Sequence, residues 1–84
     1  GEYMEYIVCE PSDYMVTVQE ESVQRIRNAV LEKHFTTNKL AIRAGIDRNV
    51  VEGLYYKHRI KLSHLQVLCD VIFGDEWEIT NMEK

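Results

Sequence analysis

The sequence contains little cysteine, little proline and no long apolar segment. Its 84 residues include two cysteines and a single proline. No apolar run approaches the roughly 18 residues that a membrane-spanning helix needs, so we expect no membrane association. We find no secretory signal pattern of a basic start, an apolar run and a small-residue cleavage site, and we therefore expect a cytoplasmic protein. The length predicts one small domain with its own core.

The two cysteines form no redox or metal-binding motif. Cys9 and Cys69 lie 60 positions apart, each among apolar neighbours, which favours two buried, reduced thiols. A metal site would have to combine Cys69 with His64 and His58, and those spacings match no common zinc pattern. We therefore expect no metal and no cofactor.

The net charge of −4 conceals a separation of acidic and basic segments. Residues 1–22 carry six acids and no base, and residues 70–84 carry five acids and one lysine. Residues 33–61 carry seven bases and two acids, a local charge of +5. Because binding depends on the local field, this basic band is a candidate surface for phosphates. Charge alone leaves an ordinary solvated face as an equal alternative.

The first part of the chain has the pattern of a β-hairpin. The segments "EYIVC" (5–9) and "YMVTVQ" (14–19) are rich in β-branched and aromatic residues, and "EPSD" between them is a turn signal. A hairpin of this size is marginal alone, so it must pack on the helical core or on a second copy of the chain.

Two flanking helices follow from apolar spacing. Ser22 is a plausible N-cap for a helix over 23–34, whose inner face holds Val23, Ile26, Val30 and Leu31. Ser63 begins a later helix that Gly74 ends, with the inner residues Leu65, Leu68, Cys69 and Ile72. "DEWEI" (75–79) predicts a last turn or a short strand.

Two short helices occupy the middle of the chain. Thr36 is placed to cap a helix over 37–44, and Gly45 stands where a left-handed residue ends it. Asp47 is placed to cap a helix over 48–57, and a basic connector (57–61) follows. This arrangement is typical of a helix-turn-helix. Its helix crossing needs a small residue, here Ala41, and its second helix needs two apolar anchors, here Val51 and Leu54.

The central stretch resembles the phage-repressor and Cro-like helix-turn-helix family. The matching residues are Thr37, Leu40, Ala41, Ala44, Gly45, Ile46, Val51 and Leu54. The resemblance extends over roughly residues 22–74. It implies a compact bundle of four or five helices and a sequence-specific DNA-binding regulator, usually dimeric, of the kind common in phages and mobile elements.

The predicted fold is therefore mainly α. We expect a compact four- or five-helix bundle with a helix-turn-helix, preceded by a short N-terminal β-hairpin. Residues 1–21 form the hairpin in this interpretation, and residues 22–84 form the DNA-binding domain with its motif at 37–57.

The resemblance assigns base reading to the start of the second motif helix, at Arg48, Asn49 and Glu52. Arginine pairs with guanine, asparagine with adenine, and a carboxylate accepts from cytosine. Other interpretations remain: Arg48 as a solvated or phosphate-binding side chain, Asn49 as a first-turn polar residue, and Glu52 as the ion-pair partner of Arg48. Gly53 weakens this helix by about 1 kcal/mol relative to alanine.

The resemblance also predicts contacts to the DNA backbone, which position a protein without reading sequence. The residues assigned to this role are Thr37, Asn38, Tyr56, Lys57, His58, Arg59 and Lys61. Tyr55 is expected to pack on the core.

The leading functional prediction is a transcriptional repressor that binds an inverted repeat in double-stranded DNA as a homodimer. We expect the acidic hairpin and C-terminus to lie away from the reading helix, and the hairpin edge to pair with the second copy. A regulatory protein partner is a further expectation, because no separate effector domain is evident.

The alternative prediction is a protein-interaction module on the same scaffold, such as an inhibitor, antitoxin or antirepressor, that uses its acidic surfaces. We do not expect an enzyme, because no Ser/His/Asp, Cys/His or paired-carboxylate arrangement has workable spacing.

Overall fold

The computed structural model describes residues 3–10 and 14–81. Within those residues the chain forms four helices and four strands. The strands are β1 (Glu5–Glu10), β2 (Met15–Val18), β3 (Arg59–Lys61) and β4 (Trp77–Asn81). The helices are α1 (Glu20–Glu32), α2 (Thr37–Ala44), α3 (Arg48–Lys57) and α4 (Leu62–Phe73).

The predicted N-terminal hairpin is confirmed. Strands β1 and β2 run antiparallel, with Cys9 opposite Val18 and Glu10 opposite Thr17. Three of the four residues of the predicted "EPSD" turn lie outside the described residues.

The four predicted helices are present, but a four-stranded sheet corrects the prediction of a mainly α bundle. The strand order is β3-β2-β1-β4, so each edge of the hairpin carries a further strand. Strand β3 pairs antiparallel with β2, and the strand that ends the described chain, β4, pairs parallel with β1. The added strands satisfy backbone groups that a free hairpin would leave to solvent. The connector over 57–61 is therefore partly a strand, and "DEWEI" leads into another.

One face of this sheet is buried beneath the helices. Along β1, Ile7 and Cys9 are buried while Tyr6 and Glu10 are exposed, which is the alternation expected of a half-buried strand. Helix α1 contacts β1, α3 contacts β3, and α4 contacts β3 and β4. The hairpin, the four helices and the two later strands therefore share one apolar core.

The predicted helix boundaries hold best in the middle of the chain. Helices α2 and α3 begin and end at the predicted residues, and α4 begins at Leu62 rather than Ser63. The predicted inner residues of α4 are buried, namely Leu65, Leu68, Cys69 and Ile72. The prediction that Leu31 lies on the inner face of α1 is wrong, because its side chain is 69% exposed.

The predicted capping role of Ser22 is wrong. Helix α1 begins at Glu20, with Gln19 in the extended N-cap position, and it ends at Glu32. Ser22 lies in its first turn, fully buried, and its hydroxyl accepts a hydrogen bond from the amide of Val8 at 2.9 Å. The serine therefore connects α1 to β1 and does not cap the helix.

Candidate nucleic-acid interface

Helices α2 and α3 are joined by a tight turn at Gly45. This residue adopts the left-handed conformation, with φ of 68° and ψ of 33°. Beyond it, the amide of Ile46 donates to the carbonyl of Ala41 at 3.0 Å, which closes the end of α2. A Cβ at this φ costs about 1 kcal/mol, so the turn favours glycine.

Both motif helices are capped by the predicted side chains. The hydroxyl of Thr36 accepts a hydrogen bond from the amide of Lys39 at 3.1 Å. The carboxylate of Asp47 accepts one from the amide of Asn49 at 2.7 Å. These contacts fix where α2 and α3 begin, and therefore which side chains lie in the first turn of α3.

Helix α3 has a buried side and an exposed side. Val51, Leu54 and Tyr55 are buried in the core. The exposed side carries Arg48, Asn49, Tyr56 and Lys57, with the partly buried Glu52 and Gly53 between them. All three residues predicted to read bases thus lie on the helix face that is open to a partner.

Arg48 and Glu52 form an ion pair along this face. The Nε atom of Arg48 lies 3.3 Å from the carboxylate of Glu52, one helical turn later. The two side chains are 55% and 37% exposed, and pairs in such surroundings contribute little to stability. The pair can therefore be exchanged for contacts with a ligand at small cost.

A groove between α3 and β3 brings several of the predicted residues together. Its volume is about 410 Å³. Its lining includes four predicted DNA contacts, Asn49, Lys57, Arg59 and Lys61. Met15 and His64, which the sequence prediction did not include, line the same groove. The groove therefore brings cationic side chains together beside the exposed side of α3.

His58 has a structural role in its main chain. It ends α3 in the left-handed conformation, with φ of 60°, and its amide donates to the carbonyl of Leu54 at 3.0 Å. Its carbonyl accepts from the amide of Val18 at 2.8 Å. These bonds direct the chain from α3 into β3 and place Arg59 and Lys61 beside the helix.

The start of α2 belongs to a different cleft. Thr37 is partly buried and the next residue, Asn38, is exposed. Thr37 lines a cleft of about 310 Å³ together with Arg27 of α1 and Tyr55 of α3. Arg27 did not appear among the predicted contacts, because it precedes the basic band in the sequence.

The sheet places basic and acidic side chains at opposite edges. Strand β3, with Arg59 and Lys61, forms one edge, and β4, with Glu78, forms the other. Strand β2 of the hairpin pairs directly with β3, and its Met15 lines the groove beside α3, so this strand does not lie away from the helix as expected. One hairpin acid, Glu5, is buried and paired with Arg25, so it is compensated internally.

The two cysteines of the described chain lie in the core rather than at the surface. Cys9 and Cys69 are free and buried, as predicted. Burial raises the pKa of the Cys9 thiol to about 11 and also raises the pKa of Cys69. Across residues 3–10 and 14–81, no three His, Cys, Asp or Glu side chains are grouped to hold a metal ion. Among the helices that are described, none has the length and apolar character needed to cross a bilayer.

The capped helix pair, its glycine turn and the exposed face of α3 define a helix-turn-helix domain. Residues 25–72, more than half of the chain, match the family model for the Cro/C1-type HTH DNA-binding domain. The chain belongs to this family, and the membership supports a role as a DNA-binding regulator. Neither the curated proteins nor the solved structures provide a match to the chain.

Proposed function

We propose that the protein is a sequence-specific transcriptional repressor, of the type found in phages and mobile elements, that inserts α3 into the major groove of DNA. The observation that carries this proposal is the face of α3, where Arg48, Asn49 and Glu52 lie outward while Val51 and Leu54 hold the helix to the core. A helix anchored on one side presents its other side in a fixed orientation, as groove reading requires.

Each proposed base contact has a supporting observation. Arg48 is exposed and held only by a weak surface pair, so its guanidinium is available to guanine. The backbone of Asn49 is fixed by Asp47, which leaves its side-chain amide to pair with adenine. Glu52 orients Arg48 in the free protein and is the proposed acceptor for a cytosine amino group.

The proposed phosphate contacts flank α3 on two sides. Lys57, Arg59 and Lys61 lie along the α3–β3 groove, and Tyr56 and His58 lie near the C-terminal end of α3. Thr37 and Asn38 begin α2, where amides without partners inside the helix favour an anion. Phosphate contacts on both sides of a reading helix fix how deeply the helix enters the groove and which base pairs it faces.

We further propose a homodimer on an inverted repeat. Both edges of the hairpin are covered by strands, so neither edge is open for the expected pairing with a second copy. We propose the outer edge of β4 as the dimer contact instead. This edge lies across the sheet from β3 and therefore away from the proposed phosphate contacts. A symmetric dimer would present two α3 helices about 34 Å apart, one turn of DNA.

The exposed carboxylates near β4 favour a second candidate. Asp70, Asp75, Glu76 and Glu78 are all exposed and lie close together in sequence. They suit a basic protein partner, either as a regulator of the DNA-bound form or as the main ligand. In either case we propose that the protein acts by binding, without catalysis.

Selection of bound sites from random DNA tests the leading proposal. Enrichment of an inverted repeat, with log K falling linearly against log salt, is the expected result. Absence of enrichment and of any binding at low salt would refute DNA binding and leave the protein-partner candidate. Sedimentation with and without the selected site separates monomeric from dimeric binding.

A further inference from the structure

Arg27, on α1, lies over the aromatic end of α3. Its guanidinium carbon is 4.7 Å from the centre of the Tyr55 ring and 5.6 Å from the centre of the Tyr56 ring. Both distances are within the range of a cation–π contact. A helix that precedes the motif thus contributes a cation to the C-terminal end of α3.

The two tyrosines form a fixed support for this cation. Their ring centres are 6.5 Å apart and their planes meet at 85°, an edge-to-face pair. Tyr55 is buried in the core, whereas Tyr56 is 70% exposed on the outer side of α3. The guanidinium is therefore held at the boundary between the core and the DNA-facing surface.

Arg27 also lacks an acidic partner in the described part of the chain. There, the ion pairs within 4.0 Å are Arg25 with Glu5 and Arg48 with Glu52. Arg25, two residues earlier on the same helix, is engaged by a buried carboxylate and serves the fold. Arg27 is instead a partly buried cation whose charge is not compensated by a neighbouring carboxylate.

The position of Arg27 connects two parts of the proposed interface. It shares one cleft with Thr36 and Thr37, at the start of α2, and it contacts Tyr56, at the end of α3. Thr37 and Tyr56 are separate proposed phosphate contacts. Arg27 is therefore placed to bind an anion that approaches both helices.

We propose that Arg27 binds a phosphate of the DNA backbone, held for this purpose by Tyr55 and Tyr56. This inference rests on the proposed DNA-binding function and adds α1 to the interface. The stacked guanidinium has lost much of its side-chain freedom before DNA arrives, so less entropy is lost on binding. Arg27 supplies affinity and orientation, and it reads no base.

The test compares Arg27→Gln with the wild type on the selected DNA site. Removal of one phosphate contact should reduce the slope of log K against log salt by about 1 and weaken binding about tenfold at moderate salt, equally for all sequences. Ethylation of individual phosphates should show one position that blocks the wild type and no longer affects the variant. Circular dichroism and urea unfolding establish that the variant is folded.

Two matched variants make the result specific. Lys33→Gln removes the same charge from the end of α1. Although Lys33 is the first residue of the basic band, it lines a groove with Tyr3 and Phe73 that includes no residue of α3, so the slope should stay near the wild-type value. Arg27→Lys keeps the charge without the planar guanidinium, so it should keep the slope and lose part of the affinity. If Arg27→Gln fails to fold, Arg27→Met replaces it, because it keeps the apolar packing over the rings.

The possible outcomes are distinct. An unchanged slope and an unchanged ethylation pattern in folded Arg27→Gln or Arg27→Met would overturn the inference and leave the proposed function intact. Equal slope losses in Lys33→Gln and Arg27→Gln would overturn it as well, since they would indicate a general charge effect. A wild type that binds no DNA would overturn both proposals.

Discussion

The Nε atom of Arg25 lies 2.7 Å from the carboxylate of Glu5, which is almost fully buried at the start of β1. The same guanidinium donates hydrogen bonds to the carbonyl of Tyr6 and to the hydroxyl of Ser22. Ser22 in turn accepts from the amide of Val8. One arginine therefore links α1 to β1, the hairpin strand that pairs with β4.

Arg25→Met should destabilise the fold by about 2 kcal/mol, because it leaves a buried carboxylate without its cation. Urea unfolding at pH 7 measures the loss. Lys33→Met, which removes an exposed cation at the end of the same helix, should change stability by less than about 0.5 kcal/mol. Equal effects of the two substitutions would show that the Arg25–Glu5 pair has no special role.

The motif could be predicted from sequence because its signals are local. Thr36 and Asp47 each accept a hydrogen bond from an amide two or three residues later, and Gly45 needs no distant partner to adopt its conformation. Ser22 has the same residue type as a cap, but its bonding partner is Val8, fourteen positions away. A propensity argument cannot detect such a partner.

The sheet could be predicted only in part, for the same reason. The hairpin follows from two neighbouring segments, whereas the parallel β1–β4 pair joins Ile7 to Ile79 across the length of the chain. Strand β3 has three residues, two of them cationic, which is too short for a clear alternation. Its strand character comes from pairing with β2. The DNA contacts themselves stay predictions.

The two glycines of the motif should respond in opposite ways to alanine. An added Cβ at Gly53 would lie 3.6 Å from the carbonyl oxygen of Arg59, an ordinary contact, so Gly53→Ala should stabilise the protein by up to about 1 kcal/mol. Gly45→Ala should destabilise it by about 1 kcal/mol, because φ is 68° there. Thermal unfolding of both variants checks the signs, and a destabilising Gly53→Ala would contradict the packing described for α3 and β3.

The cap of α3 should matter for stability and for binding. Asp47→Ala removes the acceptor for the Asn49 amide and should cost about 1 kcal/mol. Asp47→Asn keeps a side-chain oxygen at the same position, so its loss should be smaller. DNA affinity measured on both variants should follow the same order, because fraying of the first turn displaces Arg48 and Asn49. A similar loss in both would indicate that charge, rather than the cap, is the main effect.

The buried thiol of Cys9 should make stability fall at alkaline pH. Its pKa is about 11 in the folded protein, above the value of about 8.5 for an unfolded chain, so unfolding releases a proton between these values. The contribution of this thiol to the free energy of unfolding is therefore fully present below about pH 8.5 and is lost as pH rises through about 11. In Cys9→Ala, the decline in unfolding free energy from pH 8 to pH 10.5 should be shallower than in the wild type. Identical declines would mean that other groups determine the alkaline instability.

The proposed division between base-reading and phosphate-binding residues gives the most direct functional prediction. Arg48→Ala should cost about 1–3 kcal/mol on the selected site and relax the preference at one base pair, because a bidentate contact to guanine would be lost. Lys57 is a second exposed cation on the same helix and serves for comparison. Lys57→Ala should weaken binding to all sequences alike and reduce the slope of log K against log salt by about 1. Site selection and salt titration of both variants separate these patterns. If Arg48→Ala keeps the wild-type base preference and only lowers the slope, Arg48 is a phosphate contact, and the Arg48–Glu52 pair does not prepare a base-reading side chain.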